Sequence, residues 1–213
     1  LPEGHEDKVE LEIVADLLIK YQDVFTECPG TFPHPVPILT EAGKTMNVRQ
    51  HPLPQQFHGE LDAEIQRLLD NDVVEVCENP RGWNSPILAV RKKSGKVRIC
   101  CNFKNTVNKV LRHDNDKYQL MNMETIFHEI GPGQKYFSTL DMTSGYWHLL
   151  VKKSDRYKTA FQYKGQAYCF KLLPMGLKTS GDLFCRAAQR ALREIRNVDN
   201  FSNYIDDVTV FGK

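Results

Sequence analysis

The sequence predicts an α+β fold with an antiparallel sheet that carries helices on one face. Short alternating segments rich in aromatic and β-branched residues recur along the chain, and turn sequences that form hairpins join several of them. Longer segments repeat apolar residues at helical spacing. The 213 residues are 41% hydrophobic and 10% aromatic, which are values of a globular protein.

The N-terminal part predicts two helices separated by an extended connector. Glu6–Tyr21 carries apolar residues at helical spacing and is expected to be an amphipathic packing helix. Pro29–Pro54 contains six prolines and no clear periodicity, which is typical of a connector. Gln56–Asp70 has one apolar face and predicts a second helix. The apolar run Val73–Cys77 then predicts a strand.

The next part predicts a basic β-ribbon. Ile87–Val90 and Lys96–Phe103 are expected to form strands joined by a turn over Lys92–Gly95. Between Arg91 and His113 there are eight Lys or Arg residues and no Asp or Glu. Such a stripe is typical of surfaces that bind phosphate backbones, although a solvated charged surface is the more common outcome for a run of charges.

The C-terminal part alternates helices and strands, and the longest helical pattern lies before the last hairpin. Ser180 or Thr179 is expected to cap that helix. The predicted helices are Asn122–Ile130 and Thr179–Val198. The predicted strands are Tyr136–Asp141, His148–Val151, Thr159–Tyr163 and Gln166–Leu172.

Bulk features exclude several protein classes. No apolar run approaches the ~20 residues of a membrane span, and no signal peptide opens the chain. The chain begins with Leu, so we expect a processed or trimmed product of something longer. The six cysteines form no Cys-x-x-Cys pair, which favours free thiols in a reducing compartment. The net charge of +1 does not itself indicate a nucleic-acid partner.

Two adjacent carboxylates, Asp206 and Asp207, lie between two short strand-like runs, at or near the turn of a hairpin. Asp residues in turns often only cap backbone groups. The apolar flanks predict a largely buried hairpin, where two like charges would repel and raise one pKa unless a cation lies between them. Mg²⁺ is the expected partner because it prefers oxygen ligands.

Asp141 is a candidate third carboxylate, because it ends the predicted strand that begins at Tyr136. A carboxylate at the end of one strand and two on a neighbouring hairpin can converge on one site. Two metal ions about 3.5–4 Å apart clamp the attacking and leaving oxygens in phosphoryl transfer, as in nucleotide polymerases. By spacing alone this constellation favours such a site without deciding it.

Five motifs in order resemble those of reverse transcriptases, and their intervals resemble the gypsy-type LTR retrotransposon subfamily. Tyr204-Ile205-Asp206-Asp207 is similar to the Tyr-x-Asp-Asp box, and the run from Ser138 to Tyr146 to the first catalytic motif. The remaining three motifs are Leu173–Ser180, Val97–Lys104 and Trp83–Ile87.

The resemblance implies a role for each matching residue. The catalytic residues would be Asp141, Asp206 and Asp207. The ligands of two Mg²⁺ ions, with Mn²⁺ as an alternative, would be these three side chains and the main-chain carbonyl of Met142. The nucleotide-binding residues would be Lys92, Arg98, Tyr146 and Met175, with Tyr146 as the steric gate under the sugar. The residues near template or primer would be Trp83, Gly176 and Tyr204.

The resemblance also implies domains and partners. Residues 1–49 would form an N-terminal helix and connector, residues 50–120 the fingers, and residues 121–213 a palm without thumb or ribonuclease H. The partners would be an RNA template, a DNA primer and deoxynucleoside triphosphates, together with further pol segments or a protein partner, and no membrane. The location would be intracellular, in cytoplasm or nucleus, and a cytoplasmic particle for an active retroelement.

Several positions depart from the family pattern and keep alternatives open. Asn102 and Lys104 replace the usual Asp and Arg of the fingers motif. Gly181 and Cys185 replace a Pro and a Gln near template and primer, and Asp182 adds a negative charge there. One alternative is a host-retained, catalytically silent domain that binds protein or RNA as a scaffold. Another is a nuclease or other two-metal phosphoryl-transfer enzyme, which would need no Tyr-x-Asp-Asp box.

Overall fold

A computed structural model of the chain describes residues 5–25, 30–91, 95–112, 122–193 and 200–213. Helices and antiparallel strands are mixed along it, which confirms the predicted α+β class. The helices are α1 (His5–Lys20), α2 (His58–Asp70), α3 (Val107–Val110), α4 (Met123–Ile130) and α5 (Ser180–Arg193). The strands are β1 (Val74–Val76), β2 (Ile87–Arg91), β3 (Val97–Cys101), β4 (Tyr136–Asp141), β5 (Phe161–Tyr163), β6 (Gln166–Phe170), β7 (Phe201–Tyr204) and β8 (Asp207–Gly212).

In the described residues the strands form three antiparallel sheets, ordered β1-β6-β5, β2-β3 and β4-β8-β7. The hairpin β5–β6 belongs to the segment predicted as palm, yet β6 pairs with β1 from the segment predicted as fingers. A single cut at residue 120 therefore does not separate the sheets. This pairing joins positions about a hundred residues apart, such as Val74 and Phe170, so local periodicity gives no sign of it.

The apolar face of α2 belongs to the main hydrophobic core. Leu61, Ile65 and Leu68 are at most 5% exposed, and α2 lies against β1 and β3. Burying one such side chain stabilises the fold by about 1.5–3 kcal/mol. The predicted second helix is thus confirmed, and it supports both the β1–β6–β5 sheet and the β2–β3 ribbon.

The proline-rich connector adds backbone hydrogen bonds to the segment that follows β4. The Phe32 N–H donates to the His148 carbonyl at 2.7 Å, and the Val36 N–H to the Leu150 carbonyl at 2.7 Å. The Lys152 N–H returns a bond to the Val36 carbonyl at 2.9 Å. The connector is therefore ordered along residues 148–152 although its prolines cannot donate.

Two element predictions are wrong. The expected strand His148–Val151 is instead a 3₁₀ turn over Gly145–His148, followed by isolated bridges at Leu150 and Val151. The helix α1 forms as predicted, but the expected packing is not seen at its described side chains, since Leu11, Leu17 and Leu18 are between 47% and 56% exposed.

The ends of α4 and α5 follow different rules. Asn122 caps α4 by accepting a hydrogen bond from the Glu124 N–H. The Ser180 hydroxyl donates instead to the Pro174 carbonyl at 2.8 Å, so it ties α5 to the preceding loop. The predicted helix extends to Val198, but residues 194–199 lie outside the described residues, as do Lys92–Ser94 of the expected β2–β3 turn.

Two predictions drawn from composition can be compared with the described residues. The cysteines at positions 77, 100, 101, 169 and 185 are all free thiols there, and Cys28 lies outside that part of the chain. Within the same ranges no helix has the length and apolar character needed to cross a membrane.

Candidate active site

The sheet β4-β8-β7 brings the three candidate carboxylates to one end of its strands. Asp141, the last residue of β4, lies directly opposite Asp207, the first residue of β8. Directly opposite residues point to the same face of an antiparallel pair, with Cβ atoms about 4.5–5.5 Å apart. The two carboxylates are therefore neighbours, although they are far apart in sequence.

Asp206 lies in the tight turn that joins β7 to β8. Tyr204 pairs with Asp207, which leaves Ile205 and Asp206 as the two central residues. Ile205 has a φ of 56°, which is rare for a β-branched residue and costs of order 1–3 kcal/mol. Ile205 packs against the core, and the Met142 N–H donates to the Asp206 carbonyl at 3.1 Å. These contacts hold the turn against the end of β4.

The hairpin is more exposed than its apolar flanks predict. Tyr204 is 39% exposed and Val210 is 37% exposed, whereas Phe211 is 5% exposed. The prediction of a largely buried hairpin is therefore wrong, because β4 is exposed at every residue and leaves part of the sheet uncovered. The adjacent like charges, rather than burial, are then the reason to expect a cation at this turn.

The donor set suits a hard cation. Within the described ranges, no Lys, Arg or His side chain forms an ion pair with Asp141, Asp206 or Asp207. No group of three or more His, Cys, Asp or Glu side chains in those ranges is already arranged to hold a metal ion. Mg²⁺ does not require such a cage, since it keeps several waters and uses one or two carboxylates plus substrate phosphates. The neighbouring carboxylates of Asp141 and Asp207 fit that mode.

An aromatic layer supports the hairpin turn from below. The rings of Tyr146 and Phe184 lie 5.5 Å apart between centroids and are tilted by 55°. A Cβ placed on Gly145 would lie 3.1 Å from Phe184 Cζ and 3.3 Å from Asp206 Cβ. Gly145 therefore allows α5 and the turn to approach each other closely. Motif resemblance gave no reason for this glycine, whose neighbours come from distant segments.

Tyr146, one of the two rings of this layer, is half-buried. Burial raises the pKa of its phenol, and nearby Cys185 and Asp206 raise it further. The hydroxyl is therefore neutral across the ordinary pH range. The structure brings Tyr146 next to Asp206, while its predicted role as a steric gate stays a prediction.

Met175 and Gly176 lie in the loop before α5. The Met175 side chain is 54% exposed, and Gly176 has a φ of 92°, which favours glycine. A Cβ on Gly176 would lie 3.7 Å from Phe103 Cδ2 and 3.8 Å from the Cys101 carbonyl oxygen. The loop thus passes against the end of the β2–β3 ribbon.

The β2–β3 ribbon carries the candidate triphosphate ligands. Arg98 lies on β3 opposite Val90, and its side chain is exposed. It belongs to a different sheet from the three aspartates. Lys92, the other candidate, lies outside the described residues.

Trp83 lies in the core rather than on a surface. It is 4% exposed, and its ring meets the Tyr157 ring edge-on with centroids 6.5 Å apart. The Arg81 guanidinium lies 4.6 Å from the centre of the same tyrosine ring. The indole therefore has a packing role here. A contact with template or primer would require an uncovered ring, and the predicted contact stays a prediction.

Comparison with known families decides the membership of the chain. Residues 90–213 match the family described as Reverse transcriptase (RNA-dependent DNA polymerase). The chain belongs to the reverse transcriptase family. The matched segment contains the three aspartates, Arg98 and the loop with Met175. Similarity to retrotransposon polyproteins supports the predicted LTR retrotransposon origin.

Curated relatives of this reverse transcriptase domain are polyproteins. It is 33% identical over 183 residues to the Retrovirus-related Pol polyprotein from transposon opus of Drosophila melanogaster. It is 29% identical over 182 residues to the polyprotein from transposon gypsy of the same organism. It is 30% identical over 178 residues to the Enzymatic polyprotein of Cauliflower mosaic virus. The matches cover 83%, 83% and 82% of this chain but only 17%, 17% and 25% of those proteins.

Solved structures share the fold of this reverse transcriptase domain. The protease-reverse transcriptase of Prototype Foamy Virus, as a CSH mutant, superposes with a TM-score of 0.79 and 25% identity. That match covers 99% of this chain and 27% of the viral one. The foamy viral protein in complex with an RNA/DNA hybrid gives a TM-score of 0.80 and 26% identity, covering 97% and 27%.

Proposed function

We propose that this chain is the fingers and palm part of an RNA-directed DNA polymerase encoded by a retroelement. The observation that carries the proposal is the register that sets Asp141 opposite Asp207, with Asp206 in the adjoining turn. Family membership supplies the reaction class, and the neighbouring carboxylates support the proposal that this chain carries it out. Two opposed carboxylates with a third acidic residue in the adjoining turn favour cation binding over a packing role.

The residues at the strand end would bind divalent metal. Asp141, Asp206 and Asp207, with the main-chain carbonyl of Met142, would hold two Mg²⁺ ions, or Mn²⁺ in their place. When bound, such ions lower the pKa of a primer 3′-hydroxyl and neutralise the charge of the leaving pyrophosphate. The chain itself contributes alignment, since the bond from the Met142 N–H to the Asp206 carbonyl fixes the turn against β4.

The nucleotide would lie between the β2–β3 ribbon and the sheet β4-β8-β7, which we assign to the palm. Arg98 is exposed and without an ion pair in the described residues, so its planar guanidinium is free to bind phosphate oxygens in pairs. Lys92 would add a second positive charge. Tyr146 would form the wall beneath the sugar, which excludes a 2′-hydroxyl by shape. Met175 would contact the same nucleotide from its exposed loop.

The partners would be an RNA template, a DNA primer and deoxynucleoside triphosphates. The foamy viral relative has been solved with an RNA/DNA hybrid, which supports a hybrid as ligand here. Gly176 and Tyr204 would lie near that hybrid, together with Trp83 if its ring becomes uncovered. Further pol segments or a protein partner would complete the binding site for primer and template. The location would be intracellular, within a cytoplasmic particle for an active element.

Primer extension tests this proposal. A longer polymerase, made by joining further pol segments to this chain, is expected to extend a DNA primer on an RNA template with Mg²⁺, and to stop when EDTA removes the metal. A scaffold retained by a host would bind the same hybrid without extending it. Hybrid binding with no incorporation in Mg²⁺ or Mn²⁺ would therefore overturn the polymerase proposal and favour the scaffold.

A further inference from the structure

One buried amide, that of Asn108, ties the loop 174–178 to the fingers segment. Asn108 lies in α3 and is 6% exposed. Its Nδ2 donates to the Gly176 carbonyl at 2.8 Å, and its Oδ1 accepts from the Lys178 N–H at 2.9 Å. A single side chain thus pairs with the loop backbone as a strand would, across some seventy residues of sequence.

The loop needs such a partner because it has no strand or helix pairing of its own. The Ser180 hydroxyl holds its first carbonyl, that of Pro174, at 2.8 Å. Asn108 holds the other end at two backbone groups. Met175 lies between these anchors with its side chain 54% exposed. The two anchors fix the backbone on both sides of Met175 while leaving its side chain outward.

The second anchor comes from the segment that carries the candidate triphosphate ligand. The strand β3, with Arg98, leads through a 3₁₀ turn at Phe103–Asn105 into α3. Phe103 is 1% exposed and lies against Gly176. Buried contacts at Phe103 and Asn108 therefore connect the end of β3 to the loop.

We propose that Asn108 is a positioning residue that sets the Met175 loop at a fixed place relative to Arg98, and so shapes the nucleotide site from both sides. The inference rests on the proposed function for the roles of Met175 and Arg98. The positioning of the loop by Asn108 does not depend on that function, because the two hydrogen bonds hold the loop whatever the loop binds. No sequence motif singles out this asparagine.

The chemistry of the amide explains why few residues would replace it. Changing Asn108→Asp keeps an acceptor for the Lys178 N–H but places an oxygen against the Gly176 carbonyl. Changing Asn108→Ala removes both partners. A buried polar group left without a partner costs enough to raise a local opening equilibrium about tenfold or more.

Amide hydrogen exchange tests the positioning of the loop on the chain itself. In Asn108→Ala, exchange across residues 174–179 is expected to be about tenfold faster than in the wild type, with β4 and β8 unchanged. A loop with unchanged exchange in a folded Asn108→Ala variant would overturn the proposal. If that variant does not fold, Asn108→Asp serves instead, with loss of protection expected around Gly176 and equal protection counting against the proposal.

Steady-state incorporation by the longer polymerase tests the functional part. Asn108→Asp is expected to raise KM for the incoming nucleotide about tenfold with kcat changed less than about twofold. Asn105→Asp is the matched control, because it makes the same change on an exposed side chain three residues earlier. Equal KM values for the two variants would overturn the proposal. Should the wild type not polymerise, the proposed function fails, and the exchange experiment still decides whether Asn108 positions the loop.

Discussion

Asp141 and Asp207 occupy directly opposite positions in the antiparallel ladder between β4 and β8. Like charges in such a pair destabilise a sheet, so an arrangement of this kind costs stability unless a cation joins them. The strand β4 is exposed at every residue, and Asp207 is exposed as well, so both charges have access to solvent and to ligands. A cation bound between the two carboxylates would remove this cost.

The first prediction concerns the cost of this pair. Without metal, Asp207→Asn is expected to raise the stability of the chain by about 0.2–1 kcal/mol, because it removes one of two opposed charges. The gain should shrink as salt screens the repulsion. Urea unfolding in EDTA at two ionic strengths measures it, with Asp16→Asn on the exposed helix α1 as control. A loss of stability in Asp207→Asn would mean that this carboxylate is held by a favourable contact.

The second prediction concerns the close packing at Gly145. Gly145→Ala places a methyl group 3.1 Å from Phe184 Cζ and 3.3 Å from Asp206 Cβ, so the ring or the turn must move. We expect a loss of about 1–3 kcal/mol, as for other overpacked sites. Thermal unfolding measures it.

Gly59→Ala is the matched control for that change. Gly59 lies in α2 with nothing within 4 Å of an added Cβ, so alanine should stabilise the helix by about 0.5–1 kcal/mol. If Gly145→Ala is at least as stable as the wild type, the close approach of Gly145 to Asp206 is not as described.

The third prediction concerns sugar selection by Tyr146. Tyr146→Val removes the ring that packs on Phe184 and is expected to increase incorporation of ribonucleotides relative to deoxyribonucleotides. Tyr146→Phe keeps the ring and should keep the discrimination. The ratio of kcat/KM for the two nucleotides measures the effect. Relaxed selection in Tyr146→Phe would assign discrimination to the hydroxyl instead of the ring.

The fourth prediction concerns a pH-dependent tie between α2 and the β5–β6 hairpin. Lys164 donates to both oxygens of Asp62 at 2.7 Å, and this bond, followed by one from Tyr163, lowers the carboxyl pKa in the folded state. A lowered folded pKa contributes stability that is present above the unfolded value of about 3.9 and disappears as pH falls through the folded value. Asp62→Asn should therefore lower the melting temperature slightly at pH 7.

The same comparison at acid pH supplies the check. Below the folded pKa the carboxyl of the wild type is protonated, so the two proteins should melt alike. A difference between wild type and Asp62→Asn that persists unchanged at acid pH would show that the ion pair with Lys164 is not its source. Because both side chains are about half exposed, the effect should remain small.

The sequence predicts that Asp141, Asp206 and Asp207 lie together, and the sheet β4-β8-β7 places them at one end of its strands. The prediction was possible because the motif around Asp206 and Asp207 is specific and the strand before Asp141 alternates clearly. The predicted burial of the hairpin was too high, because apolar side chains such as Val210 predict packing neighbours that the described residues do not supply. Local patterns do not reveal how much of a sheet face is left uncovered.

Other features could not be predicted from the sequence, because they depend on very short patterns or on contacts between distant segments. Periodicity over four residues cannot separate a strand from the 3₁₀ turn at Gly145–His148. The pairing of β6 with β1 and the amide bonds of Asn108 join distant segments, which no local pattern encodes. The core position of Trp83 depends on Tyr157 in the same way.

Single-turnover incorporation by Asp206→Asn tests the central claim most directly. We expect this variant of the longer polymerase to keep the wild-type melting temperature and hybrid affinity but to incorporate no nucleotide in Mg²⁺, while Asp16→Asn keeps the wild-type rate. An Asp206→Asn protein that extends primers at the wild-type rate would contradict it.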